Sequence, residues 1–140
     1  MEEVLRGLEN VVQSGKVLYI GASNYAAWQV AKALGISERR GWARFDVLQP
    51  MYSLVKRQAE SEILPMAMSE NLGVIPYSPV GGGALSGKYG VKQKPGEGRL
   101  VANEMYAKRY SAEGTYETAA AFTEFANNAG IHPVSLAVAW

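Results

Sequence analysis

The sequence contains no cysteine, which excludes disulfides, zinc–thiolate centres and thiol nucleophiles. Histidine is almost as scarce. His132 is the only one, and it stands before Pro133, where a helix is expected to start. A lone histidine in that position leaves Ser–His–Asp chemistry little to work with. Neither charge sign dominates, since 14 basic residues face 13 acidic ones for a net charge of +1. There is no basic stripe, so a nucleic-acid surface is not indicated. Long apolar runs are missing too, and none approaches the roughly 20 residues of a membrane span. The opening MEEVLRGLEN is acidic and amphipathic, without the basic and apolar regions of a signal peptide. These absences leave the expectation of a soluble, cytoplasmic protein of 140 residues, enough for one domain with a real core.

What is present is concentrated in residues 73–90, GVIPYSPVGGGALSGKYG. A short apolar run leads into Tyr77, Ser78 and Pro79, followed by Gly81, Gly82 and Gly83 and then Gly87-Lys88. The pattern is that of a buried strand delivering an aromatic plate and a hydroxyl to its C-terminal end. Glycines without side-chain bulk let backbone N–H groups approach a ligand closely. An aromatic face, bare amides and a cation suit a ligand with a flat ring and phosphates. The bland alternative is a flexible surface loop after a core strand. Residues 82–88 also match G-x-x-x-x-G-K, the start of a P-loop, but Tyr89 stands where Ser or Thr would hold Mg²⁺. The following GVKQKPGEGR is too rich in Gly and Pro to open the helix a P-loop needs.

Three segments read as strands: 16–22, 45–49 and 73–77. They begin about 28 residues apart with helical patterns between them, which indicates βα units and a parallel sheet. The first helix is expected over 2–14, with a stripe of Val4, Leu8, Val11 and Val12 and Gly15 just past its end. A second is expected over 25–34, capped by Asn24 and facing Trp28, Ala31 and Leu34 inward. A third, over 59–71, would bury Ile63, Leu64, Ala67 and Met68 and start late or bend at Pro65. A helix over 115–128 carries Ala119, Phe122 and Ala126, and a last one begins near Pro133. Residues 88–114 are polar and irregular and read as a flap loop. The chain opens within a helix and stops in the apolar run Leu136–Trp140, so both ends read as truncated. Three βα units fall well short of the roughly 250 residues of a closed eight-unit barrel, and the expectation is a piece of one.

These motifs together resemble the C-terminal half of the aldo-keto reductases, over nearly the whole chain. GKVLYIGASNY resembles the family's fifth strand, RFDVLQPMYS its sixth, and GVIPYSPVGGGALSGKY its seventh strand and cofactor loop. GRLVANEMYAKRY and HPVSLAVAW are similar to the region before the eighth strand. The resemblance implies a partial (β/α)₈ TIM barrel, one oxidoreductase domain over 1–140, with NADPH bound at the C-terminal ends of the strands. It implies that Ser23, Asn24 and Gln49 hydrogen-bond the nicotinamide carboxamide and that Tyr77 stacks on the nicotinamide ring. Ser78, Pro79, Val80, Gly81 and Gly82 would line the pyrophosphate, and Lys88 and Arg99 would pair with phosphates.

The family's catalytic Asp, Tyr, Lys and His lie on its first four strands, none of which matches this sequence. No catalytic residue is therefore assigned, and the chain alone is expected to be inactive. The implied function is that of a segment of an NADPH-dependent reductase acting on a small-molecule carbonyl substrate. The alternative is an NADPH-binding regulatory module, since the motifs are also similar to the β subunits of voltage-gated potassium channels. A dinucleotide-binding Rossmann domain is disfavoured because GASNYA breaks G-x-G-x-x-G after the first strand. Residues alone assign no metal, oligomeric state or particular substrate.

Overall fold

A computed structural model describes all 140 residues. They form two compact units, one of residues 1–51 and 58–77, the other of residues 52–57 and 78–140.

The first unit is α/β. Its elements are α1 (Glu2–Gln13), β1 (Ile20–Ser23), α2 (Ala27–Arg40), β2 (Phe45–Gln49), a 3₁₀ turn at Gln58–Glu60, α3 (Ile63–Ser69) and β3 (Gly73–Val74). The three strands are parallel in the order β1-β2-β3, the topology that alternating strands and helices produce. Ser23 is in register with Gln49 and Leu48 with Val74. One extra residue of β2 is accommodated between the Ile20–Phe45 and Gly21–Val47 pairs.

The strand expected over 16–22 is shorter than its apolar run. Ile20 pairs with Phe45, where β2 begins, so residues 16–19 have no strand beside them. Leu18 and Tyr19 are accordingly exposed. The third strand is regular only over two residues, but the Ile75 N–H donates to Leu48 O and the Tyr77 N–H to Pro50 O, each at 2.9 Å. Parallel contact therefore reaches Tyr77, interrupted by Pro50 and Pro76, which have no N–H to contribute.

Helix faces account for the remaining differences. In α1 the buried positions are Leu5 and Glu9, with Leu8 and Val12 half-buried, while Val4 and Val11 face outward. The stripe is turned because a carboxylate occupies the core face. Glu9 Oε2 accepts from the Ala43 N–H at 2.6 Å and Oε1 from Gln13 Nε2 at 2.7 Å. Gly15, with φ +71°, follows the helix as expected. In α2, Ala26 rather than Asn24 precedes the helix, and its N–H donates to Gln29 Oε1 at 2.9 Å. The helix runs through Gly35 to Arg40 and stops at Gly41 in the left-handed region. It buries Ala27, Val30, Ala33, Leu34 and Ile36, and leaves Trp28 and Ala31 exposed. Because Pro65 fits only a first turn, α3 starts at Ile63, with Ala67 buried and Met68 exposed. Leu5, Ile20, Val30, Phe45 and Leu48 centre this unit's core.

The second unit is helical. It contains a 3₁₀ segment at Gly81–Ser86, α4 (Arg99–Ala102), α5 (Glu104–Arg109), α6 (Thr115–Asn128) and α7 (Pro133–Ala139). The stretch 88–114 is thus irregular only in part. Helix α6 has the expected limits and buries Ala119, Phe122 and Ala126. Helix α7 starts at Pro133, and His132 caps it by accepting the Val134 N–H at Nδ1. No helix is long and apolar enough to cross a membrane, and no group of acidic or histidine side chains could hold a metal ion.

The two hydrogen bonds hold the Glu9 carboxyl below the usual carboxylate range, the Ala43 amide contributing most and burial opposing. A depressed folded-state value means that stability is complete above the ordinary carboxylate pKa, about 4.3, and is lost as pH falls through the lower folded value. The expected outcome is that Glu9→Gln lowers the urea midpoint at neutral pH and flattens its decline in acid. A parallel pH series on both proteins checks this, and unchanged acid dependence in Glu9→Gln would contradict it.

Candidate functional site

The strand ends of the first unit bring Ser23, Asn24, Gln49 and Tyr77 together. Ser23 ends β1 and faces Gln49 at the end of β2, and its Oγ donates to the Gln49 carbonyl at 2.9 Å. Asn24 then turns the chain away from the sheet with φ +59°, in the left-handed region that Asn tolerates better than most residues. In that conformation its Nδ2 donates to Ser23 Oγ at 3.1 Å and its Oδ1 accepts from the Tyr77 hydroxyl at 2.8 Å. Tyr77 is held at its other end by the bond from its N–H to Pro50 O. The Gln49 side-chain amide makes no hydrogen bond within the chain.

Asn24, Gln49 and Tyr77 border a cavity of about 350 Å³, within the size range of small-ligand sites; Ser23 is not among its lining residues. Asn24, Gln49 and Tyr77 supply its polar groups, and Ala22, Val30, Leu48 and Ile63 its apolar wall. Tyr25, Met51 and Gln58 also line it. Sequence reasoning missed these three. The helical pattern over 25–34 includes Tyr25, but the helix begins two residues later, and Gln58 falls just before the pattern of the third helix. The Tyr77 ring, tethered through its hydroxyl and half-buried, lines a mostly apolar space. Such a space, edged by the free amides of Gln49 and Gln58, suits a planar ring carrying a carboxamide.

In the second unit the glycine loop is built differently from a bare-amide cradle. Ser78 has φ +60°, and the Gly81 N–H donates to Ser78 O at 2.9 Å. The Gly83 and Leu85 N–H groups both donate to Val80 O, at 3.0 and 3.1 Å. The amides of Gly81 and Gly83 are therefore engaged in turns. Gly81 is buried and Gly82 has φ +66°. A Cβ on Gly82 would meet Tyr110 Cε2 at 2.9 Å, Tyr106 Cδ1 at 3.1 Å and Leu100 Cδ2 at 3.2 Å. Glycine here serves close packing against aromatic side chains. Pro79 and Val80 are half-buried beside it, and Val80 packs on the cluster of Leu85, Ala119 and Phe122. Lys88 is exposed without an ion-pair partner. Arg99 is exposed at the start of α4, its guanidinium 5.0 Å from the centre of the Tyr106 ring.

The description of the "Aldo/keto reductase family" matches residues 1–140. The chain is similar to versiconal hemiacetal acetate reductase of Aspergillus parasiticus, with 32% identity over 99% of this chain and 40% of that protein. It is similar to human aldo-keto reductase family 7 member A3, with 38% identity over 84% of this chain and 37% of the relative. Mouse aflatoxin B1 aldehyde reductase member 2 shares 37% identity over 86% of this chain and 34% of its own length. The chain thus spans between 34% and 40% of the length of these relatives.

Gly82→Ala is expected to destabilise the protein by about 2–4 kcal/mol. Both the left-handed backbone and overpacking against the fully buried Tyr110 contribute. Gly15→Ala, with φ +71° but nothing within 4 Å, should carry only the backbone part, about 1–2 kcal/mol. Urea unfolding of the two variants measures the difference, and equal losses would show that the loop is not packed as described.

Proposed function

The chain belongs to the aldo/keto reductase family, and from that premise we propose that it carries the nicotinamide- and pyrophosphate-binding part of an NADPH-dependent reductase converting aldehydes or ketones to alcohols. The observation that carries this reading is the convergence of Asn24, Gln49 and Tyr77 on one cavity at the C-terminal ends of parallel strands, with Ser23 bonded to Asn24 and to the Gln49 carbonyl. In α/β barrels that is the end at which ligands bind, and these strands would be the fifth to seventh of eight.

The residues present fit the cofactor. The flat face of Tyr77 can receive the nicotinamide ring, and the free Gln49 amide can bond its carboxamide. Ser23 and Asn24 bond each other and their neighbours, so part of their role is to hold Tyr77 and the strand end in place. When bound, NADPH supplies the hydride. The task of these side chains is to fix which face of the ring is presented and to keep water from it. Lys88 and Arg99 supply positive charge for the phosphates. A carbonyl reduction also needs a proton donor, and no side chain in this chain is assigned that role. Aldehyde-dependent oxidation of NADPH by these 140 residues alone is therefore expected to stay at the level of a heat-treated control.

In the protein that carries this chain, Lys88→Met is expected to weaken NADPH binding by roughly ten- to a hundredfold and to reduce its salt dependence. Tyr77→Ala should instead slow single-turnover hydride transfer more than it changes affinity. Fluorescence titration beside single-turnover rates separates the two effects. Absence of NADPH binding by the unaltered protein would overturn the reading. Unchanged affinity and salt response in Lys88→Met would remove the phosphate role from that lysine alone.

A further inference from the structure

Helix α6 opens without a side-chain cap. Gly114 precedes it with φ +80°, and the first bond of the helix runs from the Thr118 N–H to Gly114 O at 2.9 Å. The Thr115 N–H donates to Ala112 O at 3.2 Å, which leaves the Tyr116 and Glu117 N–H groups with no acceptor in the chain. A helix of 14 residues stands behind these two donors. The partial positive charge of its aligned peptide dipoles is gathered at this end. A glycine cap is tolerated at a helix start, but it supplies no oxygen to the donors.

The same helix end borders a hollow of about 300 Å³, lined among others by Leu54, Val55, Arg57, Glu113, Thr115 and Thr118. Thr115 points to a ligand independently of the dipole. It is only 6% exposed, its hydroxyl makes no hydrogen bond, and that oxygen is not sealed in the core. The hydroxyl therefore opens into the hollow that the residue lines. A nearly buried hydroxyl without a partner has lost its hydration and gains nothing in return until a ligand supplies the bond. Thr118 stands three residues on, on the same helix face, and adds a second hydroxyl. Arg57 brings a cation, its guanidinium carbon 5.8 Å from the centre of the Trp140 ring, which itself stacks on Tyr52 at 5.1 Å.

The polar groups at the hollow are thus donors and a cation, with one exception. Glu113 is exposed, makes no ion pair and lines the same space. Its carboxylate opposes a multiply charged anion. A phosphate-type oxyanion that keeps one proton can accept from the amides and hydroxyls and donate to Glu113. Leu54 and Val55 give the hollow an apolar wall, against which the organic part of a phosphate monoester can rest.

We propose that the start of α6, with the Thr115 hydroxyl and Arg57, is a binding site for a phosphate-type oxyanion separate from the cofactor. The ligand chemistry is a singly protonated phosphate group, carried by the free ion or by a small phosphate monoester. The inference does not rest on the cofactor reading, and it uses none of the residues to which a role toward NADPH is given.

The test follows the backbone amides of the protein by proton–nitrogen correlation NMR while sodium phosphate or phenyl phosphate replaces sodium chloride at constant ionic strength. Saturable shifts centred on Thr115, Tyr116 and Glu117 are expected. Thr115→Val should weaken binding by about tenfold, and Thr115→Ser should restore most of it. Glu113→Gln should tighten binding roughly twofold to fivefold. Arg6→Met, which removes a cation in the other unit, should change nothing. Tighter binding of phenyl phosphate assigns the site to a monoester, and equal or weaker binding assigns it to the free ion; both support the proposal. If Thr115→Val loses its thermal melt, the exposed Glu113→Gln decides, and unchanged affinity there overturns the proposal. Absence of saturable shifts at these amides, or unaltered affinity in a folded Thr115→Val, also overturns it. Displacement of phosphate from the same amides by NADPH would make this place part of the cofactor site and overturn it as a separate one.

Discussion

Parallel pairing of β1 with β2 is the constraint from which the first unit's site follows. Parallel strands end on the same side of a sheet, so their terminal residues meet without any long-range search by side chains. Register then does the rest. Ser23 stands opposite Gln49, and its hydroxyl closes the gap to the Gln49 carbonyl. The next residue, Asn24, is left at the rim, where a left-handed turn directs its amide to Ser23 on one side and Tyr77 on the other. A one-residue slip between the strands would break the Ser23–Gln49 bond and carry Asn24 out of reach of Tyr77. The closeness of the pairing is visible at Gly21, where a Cβ would come within 2.6 Å of the Val47 carbonyl oxygen.

The glycine loop follows a different logic. Its backbone turns on itself, and the absence of side chains at Gly81 and Gly82 lets Val55, Tyr106 and Tyr110 close in from within the unit. The Gly81 and Gly83 amides are spent on the loop's own turns. The same aromatic residues that need glycine beneath them hold the cations of Lys56, Arg99 and Arg109. Packing and charge are coupled there through Tyr106 and Tyr110.

Much of the fold is legible in the residue pattern where one physical signal acts alone. Strand β2 has its expected limits because an apolar run is bounded by Arg44 and Pro50. Helix α6 does too, because small and aromatic residues recur at helical spacing between Gly114 and Gly130. Elements were misread where two signals compete. The core face of α1 carries Glu9, whose partner amide lies 34 residues away and leaves no local trace. Helix α2 outruns the expected 25–34 because Gly35 sits on its exposed side, where it disturbs no packing and the helix continues. Tyr77 stood out because aromatic, hydroxyl and glycine residues follow one another there.

Asn24 is also isolated in mutational space. Single-base changes from an asparagine codon reach Asp, His, Tyr, Ser, Thr, Ile and Lys, but never glycine, the residue most at ease with its backbone angle. Of these, the β-branched Thr and Ile are the most strongly opposed by the left-handed conformation. Asp tolerates the backbone but has no amide hydrogen to give to Ser23. No one-step neighbour keeps both the angle and the two side-chain bonds. Every single-base step away from asparagine therefore gives up either the backbone angle or a side-chain bond at the strand end.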